Sequence, residues 1–132
     1  KPRDPVYPSG NDASVVIDVT GCRVPDAIFL GDLSAQSQRS LMASRAIDRT
    51  YSVVKVAHHG SADQDHSLYE ELDAAVALVT VGENTYGHPR DEILDLLREE
   101  HAIIARTDRS GDVVLWRDGA GIRLWRSREQ GG

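Results

Sequence analysis

Three short apolar runs, each followed at once by polar residues, constrain the fold of this chain more than any other feature. The runs cover residues 27–30, 53–57 and 75–81. Their apolar character is nearly continuous, whereas a strand with one solvated face alternates apolar and polar residues. Continuous runs are typical of strands covered on both faces, as in the sheet of an α/β protein. The sequence therefore predicts a sheet with covering layers.

Helical patterns separate these runs. One predicted helix begins at Ser34, a residue type favoured at helix N-caps, and covers residues 34–47. Another covers residues 67–72, and a third follows Pro89 with an apolar stripe. Further strands are predicted at 14–19 and 102–105, and residues 113–116 and 122–125 flank RDGAG, whose Asp-Gly pair is typical of a hairpin turn. The fold class is α/β: a mixed sheet with helices and a C-terminal β-hairpin.

Length and composition indicate one globular domain. The chain has 132 residues, of which 40% are hydrophobic and 27% charged. We predict a loop or leader at 1–13, the domain at 14–126 and a tail at 127–132. The first residue is not Met and the start is rich in proline, so we expect a piece of a longer protein. No run approaches the roughly 18 apolar residues of a membrane helix.

Charge and cysteine usage narrow the function classes. The net charge of −6 disfavours a broad DNA-binding face, since proteins that grip many phosphates are usually basic. Arginines near the C-terminus alternate with acids, which indicates a solvated strand face. The single cysteine, Cys22, excludes an internal disulfide and a cysteine-based zinc site, and we expect it to be at least partly buried.

Polar residues that follow the three apolar runs are the candidate site. Asp32 follows the first run, His58 and His59 follow the second, and GENTYGHP, with Asn84 and His88, follows the third. Ligands of open α/β sheets collect beyond the carboxyl ends of the strands, so these side chains are expected to converge. Both adjacent histidines can reach one site only if the backbone turns between them.

Each residue also has a structural interpretation. Asp32 could cap a helix or form an Asx turn, and the loop around Asn84 could owe its polar residues to turn formation. Two adjacent imidazoles are harder to explain structurally, since a buried imidazole needs a hydrogen bond or a metal. Ser61 is typical of a turn or cap and lacks the G-x-S-x-G context of a nucleophile. His66 and His101 are expected at the surface.

The residue types favour metal-assisted hydrolysis. Imidazole nitrogen and carboxylate oxygen suit Zn²⁺, Mn²⁺ or Fe²⁺. An aspartate can bridge two such cations and offset their repulsion. Water activated in such a site is a nucleophile suited to phosphodiesters and other esters.

Five strings carry a family resemblance: NDASVVIDV, FLGDLS, VVKVAHHGSADQ, VGENTYGHP and ARTDRSGDV. In this order they resemble the metallo-β-lactamase-fold domain of ComEC-type competence proteins, which are membrane proteins that take up DNA. The resemblance spans about residues 11–116. It implies the second half of an αββα sandwich with a two-metal site at one sheet edge. The H-x-H-x-D-H motif that supplies most ligands in that family is absent from these residues.

The resemblance implies a role for each candidate. Asp32 corresponds to the metal-bridging aspartate, and one histidine of the pair His58 and His59 to the last metal-ligand histidine, with its neighbour near the substrate. Which is which stays open. His58 and His88 are the candidate catalytic residues. Asn84 and Ser61 are the candidate substrate-binding residues.

The implied function is the C-terminal part of a metal-dependent hydrolase, a phosphodiesterase or nuclease using zinc or manganese, within a DNA-uptake protein. Its expected partners are DNA or another phosphodiester, the upstream half of the domain and the parent's membrane channel, on the extracytoplasmic face. Alone, the chain is expected to be inactive and to self-associate through an open sheet face. The alternatives are a non-catalytic assembly or DNA-guiding module, and another hydrolase of this fold such as a phosphocholine esterase or lactonase.

Overall fold

A computed structural model describes residues 10–129 as a mixed five-stranded sheet with a separate hairpin. The strands of the sheet follow chain order β1 to β5, with β1 antiparallel to β2 and the later neighbours parallel. They are β1 Ile17–Val19, β2 Ala27–Phe29, β3 Val53–Lys55, β4 Val76–Val79 and β5 Ile103–Arg106. The hairpin pairs β6 Val113–Asp118 with β7 Gly121–Arg126. The α/β class, the mixed sheet and the C-terminal hairpin predicted from sequence are confirmed.

Four α-helices accompany these strands in the described residues. They are α1 Ala35–Ala43, α2 His66–Leu72, α3 Asp91–Glu99 and the short α4 Thr107–Ser110, with 3-10 turns at Gly10–Ala13 and Ala57–Gly60. Ser34 caps α1 as predicted, accepting a hydrogen bond from the Ser37 amide. The helix ends before residue 47 because the chain turns left-handed at Arg45, which has φ 54°. The short helix α4 has no counterpart among the elements predicted from the sequence.

The two faces of the central strands are buried against different layers. Ile28, Val54 and Ala77 join the core that the helices complete. Ala27, Val53 and Val76 form a second row on the opposite face, where the hairpin packs its inner side chains Leu115, Ile122 and Leu124. The order of layers is therefore helices, five-stranded sheet and hairpin. This explains why the strand sequences are apolar throughout.

Helix α3 matches its predicted amphipathic pattern. Ile93, Leu94, Leu96 and Leu97 are all buried, and its other face is exposed. Asp91 and Glu92 occupy the first turn, where negative charge interacts favourably with the helix dipole.

Three expectations need correction. Residues 14–16 are outside β1, because the Ser14 hydroxyl instead accepts a hydrogen bond from the Asp32 amide at 3.0 Å. Cys22 is exposed rather than buried. The second sheet face is covered at its centre by the hairpin, so the exposed apolar surface of this region lies instead on the hairpin's outer face, at Val114, Trp116 and Trp125.

The ends of the chain lie partly outside the described residues. The predicted leader falls mostly in residues 1–9 and the predicted tail partly in residues 130–132, whose structure is not described. Within residues 10–129 no helix is both long enough and apolar enough to cross a membrane.

Replacing Leu97 by alanine should test the packing of α3. Leu97 is 2% exposed, and deleting a buried leucine side chain costs about 2–5 kcal/mol in free energy of unfolding. Chemical denaturation of Leu97→Ala would measure this loss. The exposed Glu99→Ala on the same helix serves as control and should change stability by less than about 0.5 kcal/mol. Equal stability of the two variants would contradict the packing described for α3.

Candidate active site

Three loops meet at one edge of the sheet and bring four of the predicted residues together. They follow β2, β3 and β4, which are parallel neighbours, so their carboxyl ends share an edge. An Asp32 carboxylate oxygen lies 3.8 Å from Nε2 of His59. The His58 ring is 6.3 Å from the His59 ring and 5.5 Å from the His88 ring, between centroids.

The backbone turns sharply at the two histidines. His58 (φ 46°, ψ 46°) and His59 (φ 54°, ψ 22°) are both left-handed, a conformation that residues other than glycine rarely adopt. The amide of Ser61 donates to the His58 carbonyl at 3.0 Å, and the His58 amide donates to the Gly31 carbonyl at 3.0 Å. This turn meets the condition that both imidazoles reach one site.

A buried amide network holds the start of this turn. Gln64 donates from Nε2 to the Ala57 carbonyl at 2.9 Å, and its Oε1 accepts from the Tyr69 hydroxyl at 2.6 Å. The Tyr69 oxygen in turn accepts from the Ala57 amide at 3.2 Å. Gln38, which is fully buried, donates to Gln64 Oε1 at 2.9 Å. Burial raises the pKa of the Tyr69 phenol, which keeps it protonated as a donor. Side chains thus hold both backbone groups of Ala57.

A backbone carbonyl determines which nitrogen of the His59 ring carries the hydrogen. Its Nδ1 lies 2.6 Å from the Thr80 carbonyl oxygen, which can only accept, so Nδ1 carries the hydrogen. In the neutral form of the ring the lone pair is then on Nε2, the nitrogen that lies 3.8 Å from Asp32. Metal-ligating histidines characteristically donate their other ring N–H to a carbonyl or carboxylate in this way.

The neighbour of Nδ1 in His58 favours the opposite tautomer. Its Nδ1 lies 3.5 Å from Nδ2 of Asn11, and an amide nitrogen only donates, so this ring nitrogen accepts. In the neutral ring the hydrogen is then on Nε2. One turn of backbone therefore presents one acceptor nitrogen and one donor nitrogen.

Asp32 lies between two nitrogen groups. Nζ of Lys55 is 3.9 Å from the carboxylate oxygen that faces His59, and it donates to the Gly31 carbonyl at 2.9 Å. Burial lowers the pKa of Lys55, while the negative charge of Asp32 opposes that shift. Gly31 has φ 57°, and a Cβ there would lie 2.8 Å from the Ser14 Cβ, so this close approach requires glycine.

The loop that carries His88 is shaped by Asn84. Its Nδ2 donates to the carbonyls of Gly82 (3.0 Å) and His88 (2.9 Å), and its Oδ1 accepts from the His88 amide at 3.0 Å. Burial lowers the pKa of His88 below its usual range, and positive charge on His58, when that ring is protonated, and on Arg90 lowers it further. Its ring is therefore mostly neutral near pH 7.

Close packing joins this loop to the histidine turn. Gly60 has φ 80°, and a Cβ there would lie only 2.5 Å from the Pro89 Cβ. The Arg90 amide donates to the Gly60 carbonyl at 2.8 Å. The His88–Pro89 peptide bond is cis.

The two predicted substrate-binding residues have internal partners. Ser61 is 6% exposed, and its hydroxyl lies 3.4 Å from Nε2 of Gln64. Asn84 directs its amide into its own loop, so both substrate roles stay predictions. His66 and His101 are exposed, as expected. Residues 10–129 contain no group of three or more His, Cys, Asp or Glu side chains that could hold a metal ion.

Two residues near the site were not among the sequence candidates. Thr107 follows β5 at the same sheet edge, and its hydroxyl bonds both backbone groups of Val81, at 2.7 and 2.8 Å. Asp108 lines a cavity of about 580 Å³ together with Glu83 and His88. The Arg106 hydrogen bond holds the pKa of Asp108 below its usual range. The signal was present in the sequence, because TDRSG follows an apolar run as the other site motifs do.

Comparison with known proteins gives one informative match. The chain is similar to ComE operon protein 3. The two are 30% identical over 88 residues, which is 65% of this chain and 11% of the Bacillus subtilis protein. No protein-family model matches the chain. No solved structure matches it either. The match thus links the chain to one segment of a much longer protein.

Replacing Gln64 by alanine should destabilise the site and the fold together. The change leaves the Ala57 carbonyl without its donor and the Tyr69 O–H without its acceptor, at about 1–3 kcal/mol for each unsatisfied group, while the Tyr69 oxygen keeps the Ala57 amide as a donor. Chemical denaturation and imidazole NMR signals of His58 and His59 would report both effects. Gln36→Ala, at an exposed position of α1, is the matched control and should leave both measurements unchanged. Unshifted histidine signals in Gln64→Ala would show that the network does not hold the turn.

Replacing Gly60 by alanine should cost more than replacing Gly119. Both have positive φ, which costs an alanine about 1–2 kcal/mol, but a Cβ at Gly119 meets no atom within 4 Å. The difference in free energy of unfolding between the two variants therefore isolates the clash with Pro89. Equal losses would mean that the loops are not in the close contact described.

Proposed function

We propose that this chain is the C-terminal part of a metallo-β-lactamase-like, metal-dependent phosphodiesterase domain in a DNA-uptake protein. One observation carries the proposal. The Asp32 carboxylate and the Nε2 lone pair of His59 face each other across 3.8 Å, while the Thr80 carbonyl engages the other nitrogen of that ring. This is the donor arrangement of a histidine prepared to bind a metal.

The donor set fits two ligands of a Zn²⁺ or Mn²⁺ ion. Imidazole nitrogen and carboxylate oxygen are suitable types, and bonds of about 2.0–2.2 Å to each are compatible with their separation. Sites of this kind need further protein ligands. In the proposed parent an upstream H-x-H-x-D-H segment supplies them, which is why the chain alone is expected to be inactive. A divalent cation there would polarise a phosphate oxygen and neutralise developing charge.

The remaining side chains have proton-handling roles in the proposal. His58 offers its Nε2–H to a phosphate or leaving-group oxygen, since Asn11 engages its other nitrogen. His88, with a lowered pKa, is neutral and able to accept a proton near neutral pH. Asn84 acts on this chemistry indirectly, because its side chain bonds both backbone groups of His88, the amide and the carbonyl.

The role in DNA uptake is supported by the similarity to ComE operon protein 3 and by the five strings that resemble ComEC-type domains. In this proposal the domain belongs to a membrane-anchored parent and lies on the extracytoplasmic face. Its partners there are the upstream half of the domain and the membrane channel.

Metal titration of the chain tests the proposed ligands. Zn²⁺ or Mn²⁺ should shift or broaden the NMR signals of His59, with weaker than micromolar affinity because two ligands are too few for tight binding. Asp32→Asn and His59→Gln should abolish the effect, and the exposed His66→Gln should not. Sub-micromolar binding by the chain alone would contradict the expected inactivity.

Cleavage by a parent protein that includes the H-x-H-x-D-H segment tests the activity. Asp32→Asn or His59→Gln should lower phosphodiester hydrolysis by about 100-fold or more, since changes even one layer outside a metal site cost 10–100-fold. His66→Gln should cleave normally. A parent that binds DNA without cleaving it would favour the non-catalytic module instead.

A further inference from the structure

A cavity of about 280 Å³ opens beside the His59 and His88 rings, and its lining is mostly apolar. Tyr86, Val81 and Gly82 form part of its wall. The cavity lies next to the residues that we propose for hydrolysis, but the proposed reaction does not use it. A ligand in this cavity would therefore lie within a few ångströms of those residues.

Tyr86 is the unusual element of this wall. It is 73% exposed, whereas Tyr51 and Tyr69 are 3% and 2% exposed. Its ring lies 6.0 Å from the His88 ring, at 42°. The loop that carries it is held by the Asn84 hydrogen bonds, so the ring stands on a fixed backbone. An exposed tyrosine ring on a fixed loop is suited to stacking against a flat ligand.

Two of the polar groups that line the cavity, the Asn84 side-chain amide and the Thr80 backbone carbonyl, are engaged within the protein. Both Nδ2 hydrogens and the Oδ1 of Asn84 bond within its loop, and the Thr80 carbonyl accepts from His59. Neither group is free to read the hydrogen-bonding edge of a ligand. A ring held here would be recognised by its face, which favours stacking without strong sequence preference.

A positive charge, that of Arg90, lies beside the loop that carries Tyr86, and negative charges line the neighbouring cavity. The Arg90 guanidinium lies against Gly87, with Nη1 3.3 Å from the position of a Cβ there. Glu83 and Asp108 instead line the neighbouring 580 Å³ cavity. A phosphate chain is therefore directed to the side of Tyr86 and Arg90 and away from the acidic cavity.

We propose that this cavity is a nucleobase subsite in which Tyr86 stacks on an unpaired base of single-stranded DNA. The inference rests on the proposed function, which puts the reacting phosphate at Asp32 and His59. A base in a duplex is stacked on both faces and paired at its edge, so it enters such a cavity only after extrusion. The substrate class is therefore single-stranded DNA or an unpaired end.

Gly82 allows the cavity to be filled without disturbing the fold. It borders both cavities, and a Cβ built on it meets no atom within 4 Å. A larger side chain there would enter open space and narrow the mouth of the cavity. Gly82→Leu is therefore a second, independent variant for the test.

Fluorescence anisotropy tests the subsite. It would measure the affinity of the intact chain for labelled oligothymidylate, in the presence of EDTA and at low ionic strength. Tyr86→Ala should weaken binding by about 5- to 150-fold, the range measured for losing one base–aromatic stack. Tyr86→Phe should retain the affinity and Gly82→Leu should lose it. Unlabelled double-stranded DNA should compete poorly with the labelled oligothymidylate. Trp125→Ala, which removes an exposed aromatic ring from the hairpin, is the matched control and should bind normally.

The two proposals fail in different ways. Equal binding by Tyr86→Ala and the unchanged protein would overturn the subsite, whatever the metal titration shows. A loss of binding in Trp125→Ala as large as in Tyr86→Ala would also overturn it, because it would put the DNA on the hairpin. Loss in Tyr86→Ala together with no metal effect at Asp32 and His59 would support the subsite and overturn the hydrolase.

Discussion

The hydrogen bonds from Gln64 and Tyr69 to the backbone of Ala57 are the interactions on which the site depends. They take both backbone polar groups of one residue just beyond the end of β3 and hold them inside the protein. If β3 continued as an extended strand, His58 and His59 would point to opposite faces of the sheet. The left-handed conformation costs about 1–2 kcal/mol per residue, and a satisfied buried network is of the right size to offset it. The site is thus shaped by amides behind it rather than by the histidines themselves.

Charge balance explains how an acidic chain can present a local site for an anion. Within residues 10–129, Asp32 is the only carboxylate with a described contact to any of the three imidazoles, at 3.8 Å from Nε2 of His59, and Lys55 lies within 3.9 Å of that carboxylate. A cation bound between Asp32 and His59 would add to the positive charge of Lys55, and an anionic substrate would offset the sum. Cation and phosphate are therefore expected to bind better together than either does alone. The net charge of −6 argues against a wide DNA-binding face and leaves this local arrangement possible.

The sequence predicted which residues converge, but it did not predict the backbone turn and the buried hydrogen bonds that position them. Asp32, the histidine pair and His88 all follow apolar runs, and parallel strands bring their carboxyl ends to one edge, so general rules suffice. The left-handed turn has no local signal, because histidine has no preference for positive φ comparable to that of glycine. Gln38 and Gln64 are far apart in sequence and glutamine is usually exposed, so nothing identified them as a buried pair. The hairpin was predicted, but its packing over Val53 depends on tertiary contacts between residues distant in the chain.

The double histidine is explained by a difference between its members. Two imidazoles with the same neighbours would offer the same function twice, but here Nδ1 of His59 faces an acceptor, the Thr80 carbonyl, and Nδ1 of His58 faces a donor, the Asn11 amide. His59 presents a lone pair towards a carboxylate, and His58 presents an N–H 6.3 Å away between ring centres. In the proposed function, a single turn of backbone would supply an electron-pair donor for a cation and a hydrogen donor for an oxyanion. Each ring contacts a different neighbour through its Nδ1, so a mutation could remove one function and leave the other. This is the physical reason for treating the pair as two residues and not as one motif.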